Sequence, residues 1–263
     1  MLPVALTIAG SDPSGGAGIQ ADLKTFHQFG AYGEAVITLL TVQNTVRVTR
    51  VDCVPAELVL AQLNAVLEDI PPQAAKTGAL GNREIVEAVA GAAAAFRFPL
   101  VVDPVMIGKH GQRLISPEAV AALRELLIPR ARLVCPNLHE AAELTGITVR
   151  TVDDMRAAAK CLCEMGAQAS IVKGGHLQDS AVDVLYDGQD WREFRAPHLD
   201  TMHTHGTGCT FSAGITAELA RGASIPAAVA RAKSYVTQAI RSNPGLGHGA
   251  GPLNHHAATG RLL

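Results

Sequence analysis

The sequence predicts an α/β protein whose central sheet is mostly parallel and is covered by helices on both faces. Short, nearly continuous apolar runs recur along the 263 residues, and each is followed by a small or polar loop. Segments whose apolar residues have helical spacing lie between these runs. Strands without polar alternation are typical of a parallel sheet that is buried on both faces. Because no linker, low-complexity tract or internal repeat interrupts the pattern, we expect one domain spanning residues 1–263.

The predicted strands and helices alternate along the chain, with one exception. Strands are expected at residues 4–9, 35–42, 100–102, 133–135 and 169–172. Helices are expected at residues 19–29, 55–70, 83–96, 117–128, 152–165, 207–221 and 227–241. The exception is segment 181–195, where two short apolar runs flank Asp187-Gly188. A turn of this composition between two strands predicts an antiparallel hairpin.

Composition excludes several classes of protein. Hydrophobic residues make up 48% of the chain and charged residues 17%, so we expect a full core and no disorder. A net charge of −2 without a basic block argues against a nucleic-acid partner. The apolar start is predicted to be a buried strand rather than a signal peptide, and no apolar run is long enough to span a bilayer. We therefore expect a cytoplasmic protein that acts on a small molecule.

The cysteines and histidines do not predict a disulfide framework or a zinc site. Five cysteines are present, and Cys161 and Cys163 are expected on different faces of one helix. Cys53 and Cys135 occupy apolar, strand-like positions, so we expect both to be small core residues. The ten histidines show no metal-ligand spacing on one helix.

Segment 203–214 gives the strongest indication of chemistry. Gly206 and Gly208 let the backbone approach a ligand closely where a loop becomes a helix. The N–H groups of the first helical turn, together with the helix dipole, favour an anion at that point. In this field the pKa of Cys209 is expected to be lowered. The same pattern also fits an ordinary helix start that contains a buried cysteine.

Polar residues follow six of the apolar runs, where open parallel sheets bind their ligands. Because parallel strands end at a common edge, these residues are expected to meet in one site. The glycine-rich turn at 10–18 lacks both the third glycine of a dinucleotide site and the Lys-Ser/Thr of a P-loop. The six strand ends are residues 10–18, 43–45, 76–78, 103–105, 136–140 and 173–176.

Several of these motifs resemble those of one family over residues 7 to about 254. The motifs are 9–25 (AGSDPSGGAGIQADLKT), 43–45 (QNT), 103–106 (DPVM), 136–141 (PNLHEA), 172–176 (VKGGH) and 204–212 (THGTGCTFS). They are similar to the hydroxymethylpyrimidine/phosphomethylpyrimidine kinases of thiamine biosynthesis, which belong to the ribokinase-like superfamily. That superfamily usually carries Asp at the position of Cys209, so the cysteine indicates this branch.

The resemblance implies a ribokinase-like three-layer sandwich and an ATP-dependent activity. The implied reaction phosphorylates 4-amino-5-hydroxymethyl-2-methylpyrimidine to its monophosphate and then to the diphosphate. ATP and Mg²⁺ are the implied cofactors, and the use of a monovalent cation stays open. The resemblance also implies a homodimer.

The resemblance assigns the transfer chemistry to the 206–209 loop and Lys173. Gly206, Thr207 and Gly208 correspond to the anion hole of the family, and Thr207 and Gly208 also contact the nucleotide. Cys209 would face the substrate hydroxyl and assist its deprotonation. Lys173 corresponds to the lysine that approaches the nucleotide phosphates, although a solvated lysine at a strand end would look the same in the sequence.

Three further residues correspond to positions that organise Mg²⁺ in the superfamily. Asn137 and Glu140 match its Asn-x-x-Glu motif, and Asp103 could reach the same cations. Magnesium takes few carboxylates and many waters, so this set is chemically adequate. Asn137 and Glu140 would equally suit a helix N-cap with an acidic first turn, and Asp103 a turn before Pro104.

The acceptor pocket is expected from the N-terminal half of the chain. Gln43 offers a donor and an acceptor in one amide and matches the pyrimidine-binding glutamine of the family. Asp22 corresponds to the residue near the hydroxymethyl group, unless it is a solvated helix residue. Gly10 and Val105 would shape the walls of the pocket.

One departure from the family bears on the substrate. The family often has Lys-Ile-Gly-Met-Leu where this chain has Lys76-Thr77-Gly78-Ala79-Leu80. A smaller side chain at Ala79 could admit a larger ring, so a pyridoxal or pyridoxine kinase is the nearest alternative. A non-catalytic ligand sensor on the same fold is an alternative of another class. A dinucleotide oxidoreductase ranks last, because the full glycine fingerprint is missing.

Overall fold

The computed structural model describes residues 2–108, 111–175 and 181–260, whose strands form one sheet. Nine strands of this part of the chain pair in the order β3-β2-β1-β4-β5-β6-β7-β8-β9. They are β1 Val4–Ser11, β2 Tyr32–Gln43, β3 Val48–Cys53, β4 Ala74–Thr77, β5 Leu100–Val102, β6 Leu133–Val134, β7 Ser170–Gly174, β8 Ala181–Tyr186 and β9 Trp191–Ala196.

The middle of the sheet is parallel and its two margins are antiparallel. Strands β2, β1, β4, β5, β6 and β7 run in the same direction. Strand β3 pairs antiparallel with β2, while β8 and β9 form the predicted hairpin beside β7. The carboxyl ends of the six parallel strands therefore lie along one edge of the sheet.

Helices cover both faces of this sheet and make it the middle of three layers. They are α1 Gly18–Gln28, α2 Ala56–Asp69, α3 Arg83–Ala93, α4 Pro117–Ala122, α5 Leu138–Thr145, α6 Val152–Glu164, α7 Thr207–Ala220 and α8 Ile225–Arg241. Side chains alternate between the faces of each strand. Leu6 and Val102 thus pack in one core with α2, α3 and α4, whereas Ala5 and Val101 pack in a second core with α1, α7 and α8. The predicted three-layer α/β architecture is confirmed.

Several elements differ from the sequence prediction for identifiable reasons. Strand β3 was not expected, because it is a polar edge strand. Strand β4, of four residues, ends at the strand end expected at 76–78, and α5, of eight residues, begins at the helix cap that was the alternative interpretation of Asn137 and Glu140. The helix expected at 117–128 keeps regular α-geometry only through Ala122. It continues as a π-helical turn over Leu123–Leu127 and a 3-10 turn over Ile128–Arg130, at Pro129, which lacks the N–H that a helix interior needs.

The prediction for one of the two core cysteines is wrong. Cys135 is fully buried between the sheet and its helices, as expected. Cys53 is exposed, because it ends β3 at the margin of the sheet, where no further strand covers it.

None of the helices in the described part of the chain is both long and apolar enough to cross a membrane.

Candidate active site

The structure brings the predicted polar strand ends to one edge of the sheet. The loops after β1, β2, β4, β5, β6 and β7 carry them, and all six strands run in parallel. Helix α7 begins at the same edge, since Gly208 lies beside the side chains of Lys173 and Asp103. His176, the last residue of one predicted strand end, lies outside the described residues.

Lys173 and Asp103 form a buried ion pair below the start of α7. The Lys173 ammonium lies 3.0 Å from Asp103 Oδ1, and the two side chains are 14% and 1% exposed. Ser212 donates its hydroxyl to the other oxygen of Asp103 at 2.9 Å, which fixes the carboxylate. A Cβ on Gly208 would lie only 3.3 Å from Lys173 Nζ. The lysine is therefore held against the glycine loop and is not a solvated residue at a strand end.

Asn137 and Glu140 form the N-terminal capping box of α5. Asn137 Oδ1 accepts the Glu140 backbone N–H at 2.9 Å, and Glu140 Oε2 accepts the Asn137 backbone N–H at 2.8 Å. The helix-cap interpretation of this motif is thus confirmed. Burial raises the pKa of Glu140 to about 7, the Lys173 charge opposes that shift, and Asp103 adds to it. This carboxylate has one oxygen committed to the cap and lies within the electrostatic field of Lys173 and Asp103.

The described residues include no cluster of three or more His, Cys, Asp or Glu side chains that could hold a metal ion. Asp103, Asn137 and Glu140 therefore do not complete the coordination of a metal ion with protein ligands alone. The set does suit a cation that keeps most of its waters, because a buried carboxylate with a raised pKa is stabilised by added positive charge.

The loop before α7 presents backbone N–H groups at the same edge. Gly206 is the residue before the first helical turn and has φ +80°, a conformation that favours glycine. A Cβ on Gly206 would also overlap the carbonyl oxygen of Gly16, so two glycine-rich loops are in contact here. Within the described part of the chain, the N–H groups of Gly208 and Cys209 have no hydrogen-bond acceptor. They are available to an anion.

The expected lowering of the Cys209 pKa is wrong. Burial raises the pKa of this thiol to about 12, and the carboxylates of Asp22 and Asp103 add to the shift. The Lys76 ammonium and a hydrogen bond from the Gly18 N–H act in the opposite direction but do not outweigh it. Removal from water penalises the thiolate more than the Lys76 charge and the Gly18 N–H favour it.

Asp22 and Lys76 form a fully buried ion pair close to Cys209. Lys76 Nζ lies 2.9 Å from one oxygen of Asp22 and 2.8 Å from the other, and both side chains are 0% exposed. Thr7 donates its hydroxyl to Asp22 at 2.6 Å. Asp22 is therefore not a solvated helix residue. Sequence reasoning placed Lys76 at one of the polar strand ends but assigned it no role, because a lone lysine in a short apolar run gives no sign of its burial or of its partner.

Gln43 lies in a second polar network that the sequence did not reveal. Its amide nitrogen is 3.0 Å from His205 Nε2, which lies 2.8 Å from Asp12 Oδ2. Both His205 and Asp12 are buried. The network connects the end of β2 with the loop after β1 and with the loop that begins α7.

The remaining residues expected in the pocket lie at the same edge. Val105 is half-buried in the turn after β5, where its N–H donates to Asp103 O at 2.9 Å. Gly10 is buried near the end of β1, and a Cβ on it would overlap the side chain of Leu39. Packing against Leu39 by itself thus accounts for glycine at this position. Ala79 is half-buried, and its carbonyl oxygen accepts the Thr38 hydroxyl at 2.6 Å.

Phosphoryl transfer needs fixed positive charge and N–H dipoles around the phosphates, and an acceptor site beside them. One sheet edge provides the charge and the dipoles next to the buried side chains of Asp22, Lys76 and His205. The fold and this edge together define a ribokinase-like small-molecule kinase. A family model described as phosphomethylpyrimidine kinase matches residues 12–254. The chain belongs to this family, as its motifs indicated.

Individual relatives agree with this assignment. The chain is 47% identical over 256 residues to the hydroxymethylpyrimidine/phosphomethylpyrimidine kinase of Bacillus subtilis, covering 96% of this chain and 94% of that protein. An ADP complex of Bacillus subtilis pyridoxal kinase has a TM-score of 0.90 and 42% identity over 98% of both chains. A phosphomethylpyrimidine kinase from Clostridium difficile has a TM-score of 0.81 and 43% identity, covering 91% of this chain and 100% of that one.

Proposed function

We propose that this kinase phosphorylates 4-amino-5-hydroxymethyl-2-methylpyrimidine with ATP, first to the monophosphate and then to the diphosphate, in thiamine biosynthesis. The observation that carries the proposal is the Gly206–Cys209 loop, whose free N–H groups lie beside Lys173 at the start of a buried helix. Full-length similarity to kinases named for both phosphorylations supports the choice of substrate.

The nucleotide side of the site consists of Lys173 and the glycine loop. Lys173 and the free N–H groups of Gly208 and Cys209 would stabilise the charge that spreads over the transferred phosphoryl group. The Thr207 N–H, expected in the same anion hole, donates to Thr204 O at 3.3 Å. Asp103 and Ser212 hold the lysine in place. Loss of a single donor of this kind typically costs about 3–4 kcal/mol of barrier lowering.

Mg²⁺ would be held by Glu140, Asn137 and Asp103. It would neutralise part of the negative charge of the phosphates. The chain contributes carboxylate and amide oxygens, and Lys173 remains in place to balance Asp103.

The acceptor side consists of Gln43, Asp22, Gly10 and Val105, with Cys209 between it and the nucleotide. The hydroxymethyl oxygen forms a bond to the γ-phosphorus while the bond to the β–γ bridging oxygen breaks and ADP leaves. The alcohol proton passes to Cys209, which accepts it as the thiolate stabilised by Lys76 and the Gly18 N–H. Because burial raises the pKa of this thiol to about 12, only a small fraction is thiolate near neutral pH, and charge stabilisation by the loop supplies the larger share of catalysis.

Pyridoxal is the second candidate acceptor. Solved pyridoxal kinases match nearly the whole chain with TM-scores of 0.90. Ala79, where the family often has methionine, leaves more room for a substituted ring. Pyridoxal and the pyrimidine are both hydroxymethylated six-membered aza-rings, so the same loop could serve either one.

Product analysis tests this proposal. Purified protein, ATP and Mg²⁺ are incubated separately with the hydroxymethylpyrimidine and with pyridoxal, and products are measured by mass spectrometry over time. Sequential mono- and diphosphate on the pyrimidine is expected. Phosphate on pyridoxal alone would transfer the proposal to vitamin B6 salvage, and no phosphorylated product with either acceptor would refute it.

We also propose that the chain forms a homodimer through the β2–β3 margin of the sheet. Leu40, Val42 and Val46 are half or more exposed there. Sedimentation equilibrium is expected to give twice the monomer mass of 27.4 kDa, and a monomer at micromolar concentration would contradict the proposal.

A further inference from the structure

His205 joins three loops of the candidate site through one buried ring. It is 5% exposed and directly precedes Gly206. Its Nε2 lies 2.8 Å from Asp12 Oδ2 and 3.0 Å from the side-chain amide nitrogen of Gln43. Its backbone N–H donates to Gly251 O at 3.1 Å. The ring therefore touches both the acceptor side of the site and the loop that carries the anion hole.

The Asp12 carboxylate determines where the shared hydrogen lies. Asp12 Oδ1 accepts the backbone N–H and the hydroxyl of Ser14 at 2.9 and 2.7 Å, and Oδ2 accepts the Ala17 N–H at 2.9 Å. Burial raises the pKa of Asp12, but the hydrogen bonds from His205 and Ser14 outweigh it and the net pKa is lowered. An ionised carboxylate has no hydrogen to donate, so His205 Nε2 carries the hydrogen of this contact.

This protonation constrains the Gln43 amide. A ring nitrogen that donates to Asp12 has no lone pair in the ring plane to accept from an amide N–H. The amide atom nearest the ring is then compatible with it only as the oxygen, which would share the Nε2 hydrogen with Asp12. A half-turn of the amide, which exchanges its oxygen and nitrogen, gives this arrangement. After that half-turn the NH₂ group of Gln43 would face away from His205, in a position to donate to a bound molecule.

We propose that His205 is a positioning residue that makes Gln43 a hydrogen-bond donor to a ring nitrogen of the acceptor. The inference rests on the proposed function, since it names the part of the acceptor that Gln43 recognises. The substrate class is a hydroxymethylated aza-ring whose ring nitrogen is unprotonated. His205 acts through Gln43 and does not touch the reacting atoms.

The first test compares acceptor kinetics with nucleotide kinetics in three variants. His205→Ala is expected to raise the acceptor KM about 10- to 100-fold and the ATP KM less than about 3-fold, as expected for loss of one charge-assisted hydrogen-bond network. His205→Gln, whose Nε2–H can replace the ring N–H toward Asp12, is expected to recover most of the loss. His256→Ala, at an exposed histidine, serves as the control and is expected to match the wild type. Equal rises in both KM values, or no recovery in His205→Gln, would overturn the inference.

A second test measures recognition of the acceptor ring and does not require a His205 variant to fold. Acceptor analogues in which each ring nitrogen in turn is replaced by C–H are compared in the wild type and in Gln43→Ala. One analogue is expected to lose about 10-fold or more in kcat/KM with the wild type and much less with Gln43→Ala. Equal losses in both proteins for every analogue would overturn the inference. If the wild type phosphorylates only pyridoxal, the proposed function fails, and the same comparison with pyridoxal analogues still decides the role of His205.

Discussion

The buried pair Asp22–Lys76 offers the sharpest test of the energetics of the site. Lys76→Met removes the only cation within 3 Å of the fully buried Asp22 among the described residues and leaves the Thr7 hydroxyl as its remaining partner. Breaking a buried pair by removing one partner costs about 3–5 kcal/mol, because the other charge stays uncompensated. For a protein of this size that corresponds to a fall in Tm of about 6–20 °C.

The cost is expected to depend on pH. Burial raises the pKa of Asp22 even in the presence of Lys76, so its folded-state pKa lies above the unfolded value. A group of this kind destabilises the folded state as pH rises, since the unfolded chain releases the proton first. The destabilisation by Lys76→Met is therefore expected to be larger at pH 8 than at pH 5.

Urea unfolding at both pH values, combined with a kinase assay, measures the effect. Asp22→Leu/Lys76→Met removes both charges, so its stability is expected to return to within about 2 kcal/mol of the wild type while acceptor phosphorylation stays lost. Arg83→Met breaks an exposed pair of 2.6 Å and should cost less than about 1 kcal/mol. If Lys76→Met costs no more than Arg83→Met, or if the double variant stays as unstable as the single one, the reasoning is refuted.

Three further predictions concern the glycine loop and its neighbours. Burial raises the pKa of Cys209 to about 12, so the rate of its alkylation by iodoacetamide is expected to rise about tenfold per pH unit from pH 7 to pH 9. Peptide mass spectrometry measures this rate, and a plateau below pH 8 would contradict the prediction. Gly208→Ala places a Cβ 3.3 Å from Lys173 Nζ and should lower kcat at least about 10-fold. The control Gly91→Ala, whose Cβ meets open space on α3, should keep its activity and gain about 0.5–1 kcal/mol in the free energy of unfolding. Lys173→Met should raise the ATP KM more than the acceptor KM, as measured by initial rates, and equal changes would argue against its place on the nucleotide side.

The sequence predicted that the polar strand ends meet at one edge of the sheet, because that arrangement follows from topology alone. Parallel strands end at one edge, so polar residues after each strand must gather there whatever their detailed contacts. The capping box of Asn137 and Glu140 was also foreseeable, since it is local and its partners are three residues apart.

The electrostatics of the site could not be predicted in the same way. Lys76 meets its partner Asp22 across 54 residues, and His205 meets Gln43 and Asp12 across 162 and 193 residues. The pKa of Cys209 was given the wrong sign because the helix start is visible in the sequence, whereas its burial beside Asp22 and Asp103 is not. Long-range contacts of this kind decide whether a buried side chain is charged or neutral, and a local sequence pattern does not predict them.

A competition assay tests the central claim most directly. Equimolar hydroxymethylpyrimidine and pyridoxal are given to the wild-type protein with limiting ATP and excess Mg²⁺, and all phosphorylated products are quantified by mass spectrometry. We expect pyrimidine phosphates to dominate, with the diphosphate appearing after the monophosphate, and Gln43→Ala to erase most of that preference. Predominant pyridoxal phosphate, or a preference unchanged in Gln43→Ala, would contradict the assignment of the acceptor and of the residue that selects it.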